Sequence, residues 1–125
     1  MKLTNLFRLH AVLAFAYAVL MIFLPTFTVS LLSPSPLTPL GVDLTRILGA
    51  AILFVGMMAW GASGLSDAAT RGMIARGLLV YTGLGAAIAL MGQLAGNWGM
   101  LGWSNVLVYL FVALGYAYFL FLKPE

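Results

Sequence analysis

Four long apolar runs, separated by breaks that hold little more than turns, leave this chain few ways to fold. They cover about residues 6–24, 42–64, 73–96 and 104–122. Each is close to the roughly 20 residues a helix needs to cross about 30 Å of hydrocarbon. In lipid every backbone N–H and C=O must be satisfied within the segment, so such runs become helices. Composition agrees: of 125 residues, 63% are hydrophobic and 7% charged, with mean hydropathy +1.08. Soluble domains carry about a quarter charged residues. The expected fold is all-α, a four-helix transmembrane bundle running up-down-up-down as a single domain over residues 1–125.

The breaks set the connections. Thr4 or Asn5 is placed to cap the first helix. That run is about 19 residues long and has no small-residue cleavage site after it, so it reads as a span rather than a secretory signal. Pro25 interrupts it, and residues 25–32 read as a short interfacial helix with proline in its first turn. "SPSPLTPLG" reads as an extended surface loop, because its prolines cannot continue a helix. In "SGLSDAATRG", Ser66 and Asp67 are placed to start a short turn. "NWGMLGW" is a tight hairpin linker, which makes the third and fourth spans antiparallel neighbours.

Charge predicts orientation. Lys2, Arg8, Arg71, Arg76 and Lys123 fall on one side of the four spans. The positive-inside rule assigns that side, with both termini, to the cytoplasm, here of a bacterial inner membrane. Six basic residues at span ends are what orientation requires, so the net charge of +3 implies the lipid bilayer as partner and no nucleic acid.

Arg46 stands alone on the other side, three residues after Asp43. Near a helix N-terminus Asp43 is favoured and Arg46 is not. Helical side chains lean toward the N-terminus, so Arg46 is positioned to snorkel outward and pair with Asp43. The alternative turns its guanidinium into the bundle to hold an anion or polar head group. Gln93 and Asn97 end the third span, Asn105 opens the fourth, and Trp103 flanks the hairpin with Trp98. The candidate ligand site is therefore an outer-leaflet cluster of Arg46, Asp43, Gln93, Asn97 and Trp103.

The remaining polar side chains suggest no chemistry. His10 is the only histidine, and a catalytic metal site needs about three ligands, so no metal and no cofactor is expected. His10 reads as an interfacial residue beside Arg8. Tyr17, Tyr109 and Tyr116 read as packing residues with no base nearby, and the tryptophans as interface anchors. Gly85, Ala89, Gly92 and Gly96 form a small-residue face suited to close helix contact, within the chain or between copies in a homo-oligomer.

Absences exclude several activities. The first span carries no acid, which small multidrug transporters need, and no cysteine is present for thiol oxidation. The segments "RILGAAILFVGMMAW", "LMGQLAGNWGMLGW" and "YLFVALGYAYFLF" resemble small bacterial four-helix membrane proteins of DoxX-like type. The resemblance implies a four-helix bundle and supplies no catalytic residue. The sequence thus points to a small membrane protein with a structural role, or an accessory subunit of a membrane complex. The alternative is a binder or carrier of a lipid, quinone or anion at the outer cluster.

Overall fold

A computed structural model of the chain describes residues 1–124. It is all-helical, and four of its helices are long and apolar enough to cross a membrane. Helix α1 spans Leu3–Phe23, α2 Pro25–Leu32, α3 Pro39–Ser63, α4 Ala68–Leu94 and α5 Gly102–Ala117. The last of these widens into a π turn over Tyr118–Leu122, closed by Lys123 N–H donating to the Tyr118 carbonyl at 2.9 Å.

Several helix starts lie earlier than expected, each with a local cause. Helix α3 begins inside the proline-rich connector, where Thr38 is the N-cap and its hydroxyl accepts from Gly41 N–H at 3.0 Å. Pro39 then occupies the first turn, where its missing N–H costs nothing. Asp67 caps α4, accepting from Thr70 N–H at 2.9 Å and from the Thr70 hydroxyl, so the turn expected there is the first turn of the span itself. Those bonds hold the Asp67 carboxyl below its ordinary value of 3.8, the Thr70 hydroxyl contributing most. Neither Thr4 nor Asn5 caps α1. The helix starts one turn earlier, behind Lys2, and the Thr4 hydroxyl instead accepts from Arg71 Nη2 at 3.0 Å.

Two tight helix pairs make the bundle. On α1 and α3, Ala18 and Met21 meet Gly49 while Ala14 and Phe15 meet Gly56, an antiparallel progression. On α4 and α5, Gly85 receives the Tyr109 ring and Gln93 lies against Gly102, again antiparallel. Contacts between the pairs are fewer, chiefly α3 with α4 and α1 with α5.

The core is uneven along the bundle axis. At the end holding the termini, a cluster from all four spans includes Leu6 and Phe7 of α1, Ala59 and Ala62 of α3, Ala75 and Leu78 of α4, and Tyr116 of α5, capped by Phe119. Toward the other, distal end the buried cluster comprises only Ala14, Ala18, Met21 and Ile52, all from α1 and α3. There α4 and α5 stand away from the first pair.

Helix α2 covers that gap from above. Pro25 cannot donate to the preceding turn, which frees α1 carbonyls. The Thr28 hydroxyl adds a second donor to two carbonyls beside the break, lying 3.0 Å from that of Leu20 and 2.7 Å from that of Leu24, each of which also accepts a backbone N–H. At its other end α2 is joined to the α4–α5 turn by Gly99 N–H donating to the Leu32 carbonyl at 2.7 Å.

Candidate functional site

Arg46 does not pair with Asp43. Both side chains are exposed, and Arg46 Nε donates to the Ile22 carbonyl at 3.3 Å. At the positive end of the α3 dipole Arg46 is unsuited. The structure places the guanidinium at the negative end of α1, where the break before Pro25 leaves carbonyls open. Arg71 does the same at the opposite end of the bundle: Nη1 donates to Ala62 and Leu65 carbonyls at the end of α3, at 3.3 and 3.1 Å.

The other members of the expected outer cluster also disperse. Gln93 Nε2 donates to the Gly99 carbonyl at 3.1 Å and to that of Trp98 at 3.5 Å, so it fastens the α4–α5 hairpin. Trp103 is 42% exposed. Asn97 alone of the five borders a cavity. The small-residue face is used within the chain: Gly85 lies under the Tyr109 ring, Gly92 under the Trp98 indole, and Ala89 is buried. Gly96 is not on that face, since α4 ends at Leu94 and Gly96 makes the turn with φ of +79°.

The cavity fills the distal gap between the two helix pairs and has a volume of about 580 Å³. Its walls are Met21 of α1, Thr45, Leu48 and Ile52 of α3, Leu84, Gly85, Ile88 and Ala89 of α4, and Tyr109 of α5. Val29, Leu32 and Ser33 form the roof. Leu48, Leu84 and Ile88 are also exposed on the outer surface, so the cavity opens sideways between α3 and α4 at bilayer depth. Asn97 and Trp98 stand at its distal rim.

A smaller cavity of about 160 Å³ adjoins it toward the termini, with Leu13 and Val108 at an opening between α1 and α5. Tyr17, Ile52, Tyr81, Asn105 and Tyr109 border both spaces and form a waist between them. The Tyr81 and Tyr109 hydroxyls are 3.3 Å apart. The Tyr17 hydroxyl is buried without a hydrogen-bond partner of normal geometry, with the Asn105 amide beside it. At ~1.5 Å of rise per residue, Tyr17 lies about 9 Å short of the distal end of α1, so these groups meet in the distal half of the bundle.

His10 corrects a further expectation. It is buried, 6% exposed, and its Nδ1 shares a 2.9 Å hydrogen bond with the hydroxyl of the fully buried Tyr116. Its ring also stacks near Tyr81, with centroids 6.5 Å apart. Tyr116 therefore does have a base beside it, supplied across the bundle by α1. Among the described residues no three His, Cys, Asp or Glu side chains gather to hold a metal ion.

The sequence reading missed Tyr81 entirely and read Tyr17 and Tyr109 as packing. The available signal was three phenols at mid-span positions, where a buried hydroxyl needs a partner. No family model, curated protein or solved structure matches the chain.

Proposed function

We propose that this chain binds a small amphiphile, admitting it from the bilayer between α3 and α4 and holding it between the helix pairs. The observation that carries the proposal is the sideways-opening cavity of about 580 Å³. That lies within the roughly 300–1,000 Å³ range of small-molecule sites, which are mostly apolar with a few placed polar groups. Helix pairs that needed only each other would close this gap with side chains, as they do near the termini. The anion alternative loses its basis, because Arg46 faces away and no Asp, Glu, Lys or Arg among the described residues borders either cavity. The distribution of basic residues supports an orientation with both termini cytoplasmic.

Native mass spectrometry of protein extracted in mild detergent tests the proposal. Wild type carries one amphiphile per chain, and Ala89→Leu, which fills the cavity wall, loses it while remaining helical. A purely structural role predicts the opposite: nothing is retained, and Ala89→Leu raises thermal stability by filling an empty space.

A further inference from the structure

We infer that the waist formed by Tyr17, Tyr81, Asn105 and Tyr109 receives the ligand's head group, and that this head group is uncharged and accepts hydrogen bonds. The inference rests on the amphiphile-binding proposal and concerns which amphiphiles qualify. Three observations support it.

The Tyr17 hydroxyl is the first. A buried polar group without a partner is costly, so native structures rarely keep one where phenylalanine would pack equally well. Tyr17 borders both cavities with its hydroxyl enclosed between them beside Asn105, so an acceptor oxygen that enters the waist as these side chains shift would complete it. Its surroundings are the second. The Asn105 amide and the Tyr81–Tyr109 hydroxyl pair offer further neutral donors at the same level of the bundle. The third is electrostatic. No Asp, Glu, Lys or Arg among the described residues borders either space, so a phosphate or carboxylate head would be desolvated with no counter-ion. An uncharged carbonyl, ester or hydroxyl oxygen loses far less on entering.

The two spaces divide the ligand accordingly. The larger holds the apolar tail against Leu48, Ile52, Leu84 and Ile88, while the head sits at the waist and faces the smaller space above His10. Both lateral openings then lead to one head-group position.

Three probes with the same acyl chain and different heads test this: monoolein, oleate, and oleoyl-lysophosphatidylglycerol. Each is titrated into lipid nanodiscs carrying the full chain at neutral pH, with occupancy read by native mass spectrometry. Monoolein is expected to bind at least about tenfold more tightly than either anionic probe. Tyr17→Phe should weaken monoolein about fivefold, the equivalent of one neutral hydrogen bond. The same variant should leave the melting temperature of the empty protein unchanged or raised, because it removes an unpaired buried hydroxyl. Tyr118→Phe, an exposed phenol, serves as the control. Asn105→Leu provides a second reading of the waist should Tyr17→Phe not fold.

Equal binding of oleate or the lysophospholipid overturns the inference, as does Tyr17→Phe or Asn105→Leu binding monoolein like wild type. Identification of the co-purifying molecule as a charged lipid overturns it too, while leaving amphiphile binding intact. If neither a native amphiphile nor any probe is retained, amphiphile binding itself falls, and this inference with it.

Discussion

The two halves of this bundle are built from the same helices and packed by opposite rules. Near the termini, the large side chains Leu6, Phe7, Tyr116 and Phe119 belong to one buried cluster drawn from all four spans. Distally, the large side chains of the second pair are spent within that pair, Tyr109 against Gly85 and Trp98 against Gly92. What α4 turns toward α3 there is Ala89 and, at the rim, aliphatic side chains already facing lipid. Cavity and core thus arise from where aromatic volume is directed, not from a difference in hydrophobicity. In a bilayer this distinction matters, because lipid tails are as apolar as leucine and helices associate through close packing.

Breaking the packed half should have the largest effect. Phe7→Ala removes a side chain with 0% exposure and should cost about 3 to 5 kcal/mol, read as a large fall in detergent melting temperature. Overpacking a helix seam comes next. A Cβ at Gly56 would lie 2.9 Å from the Phe15 ring, so Gly56→Leu should force α1 and α3 apart at a cost of about 1 to 3 kcal/mol. At the cavity wall, Ala89→Leu should cost far less; an equal loss for both would show that this wall is packed as tightly as the α1–α3 seam.

Arg46→Gln removes a cation from the C-terminal end of α1 and should lower stability by about 0.3 to 1 kcal/mol without emptying the cavity. Loss of a retained amphiphile in that variant would instead restore Arg46 to the site. The smallest effect is titration at the Asp67 cap. Its carboxyl is held below 3.8 by the Thr70 bonds, so the stabilisation is complete above that value and is lost as pH falls through the lowered one. Asp67→Asn keeps a capping side chain and should flatten the acid limb of a melting-temperature profile.

Helix content was legible because lipid imposes it: an apolar run of sufficient length has no other way to satisfy its backbone. The capping chemistry was partly legible, and its errors are instructive. Thr38 and Pro39 form a helix start that the surrounding prolines disguised as loop. The site was barely legible. Arg46 was judged against the dipole of its own helix, whereas its partner is a carbonyl on α1. His10 and Tyr116 are 106 positions apart, and no periodicity in either span announces that they share a hydrogen bond. Tyr17, Tyr81 and Tyr109 become a group only once the pairing order of the helices is known. Polar atoms in a membrane protein find partners through helix packing, and packing order is what apolar sequence encodes least.

The bond from Gly99 N–H to the Leu32 carbonyl has a consequence for measurement. It joins the cover over the cavity, contributed by the first half of the chain, to the hairpin contributed by the second. With the roof tied down and the sides open to hydrocarbon, an amphiphile bound as proposed would exchange through the membrane phase. Occupancy then depends on the mole fraction of ligand among the surrounding lipids, so enlarging the volume of buffer leaves the site filled, while adding empty detergent micelles drains it.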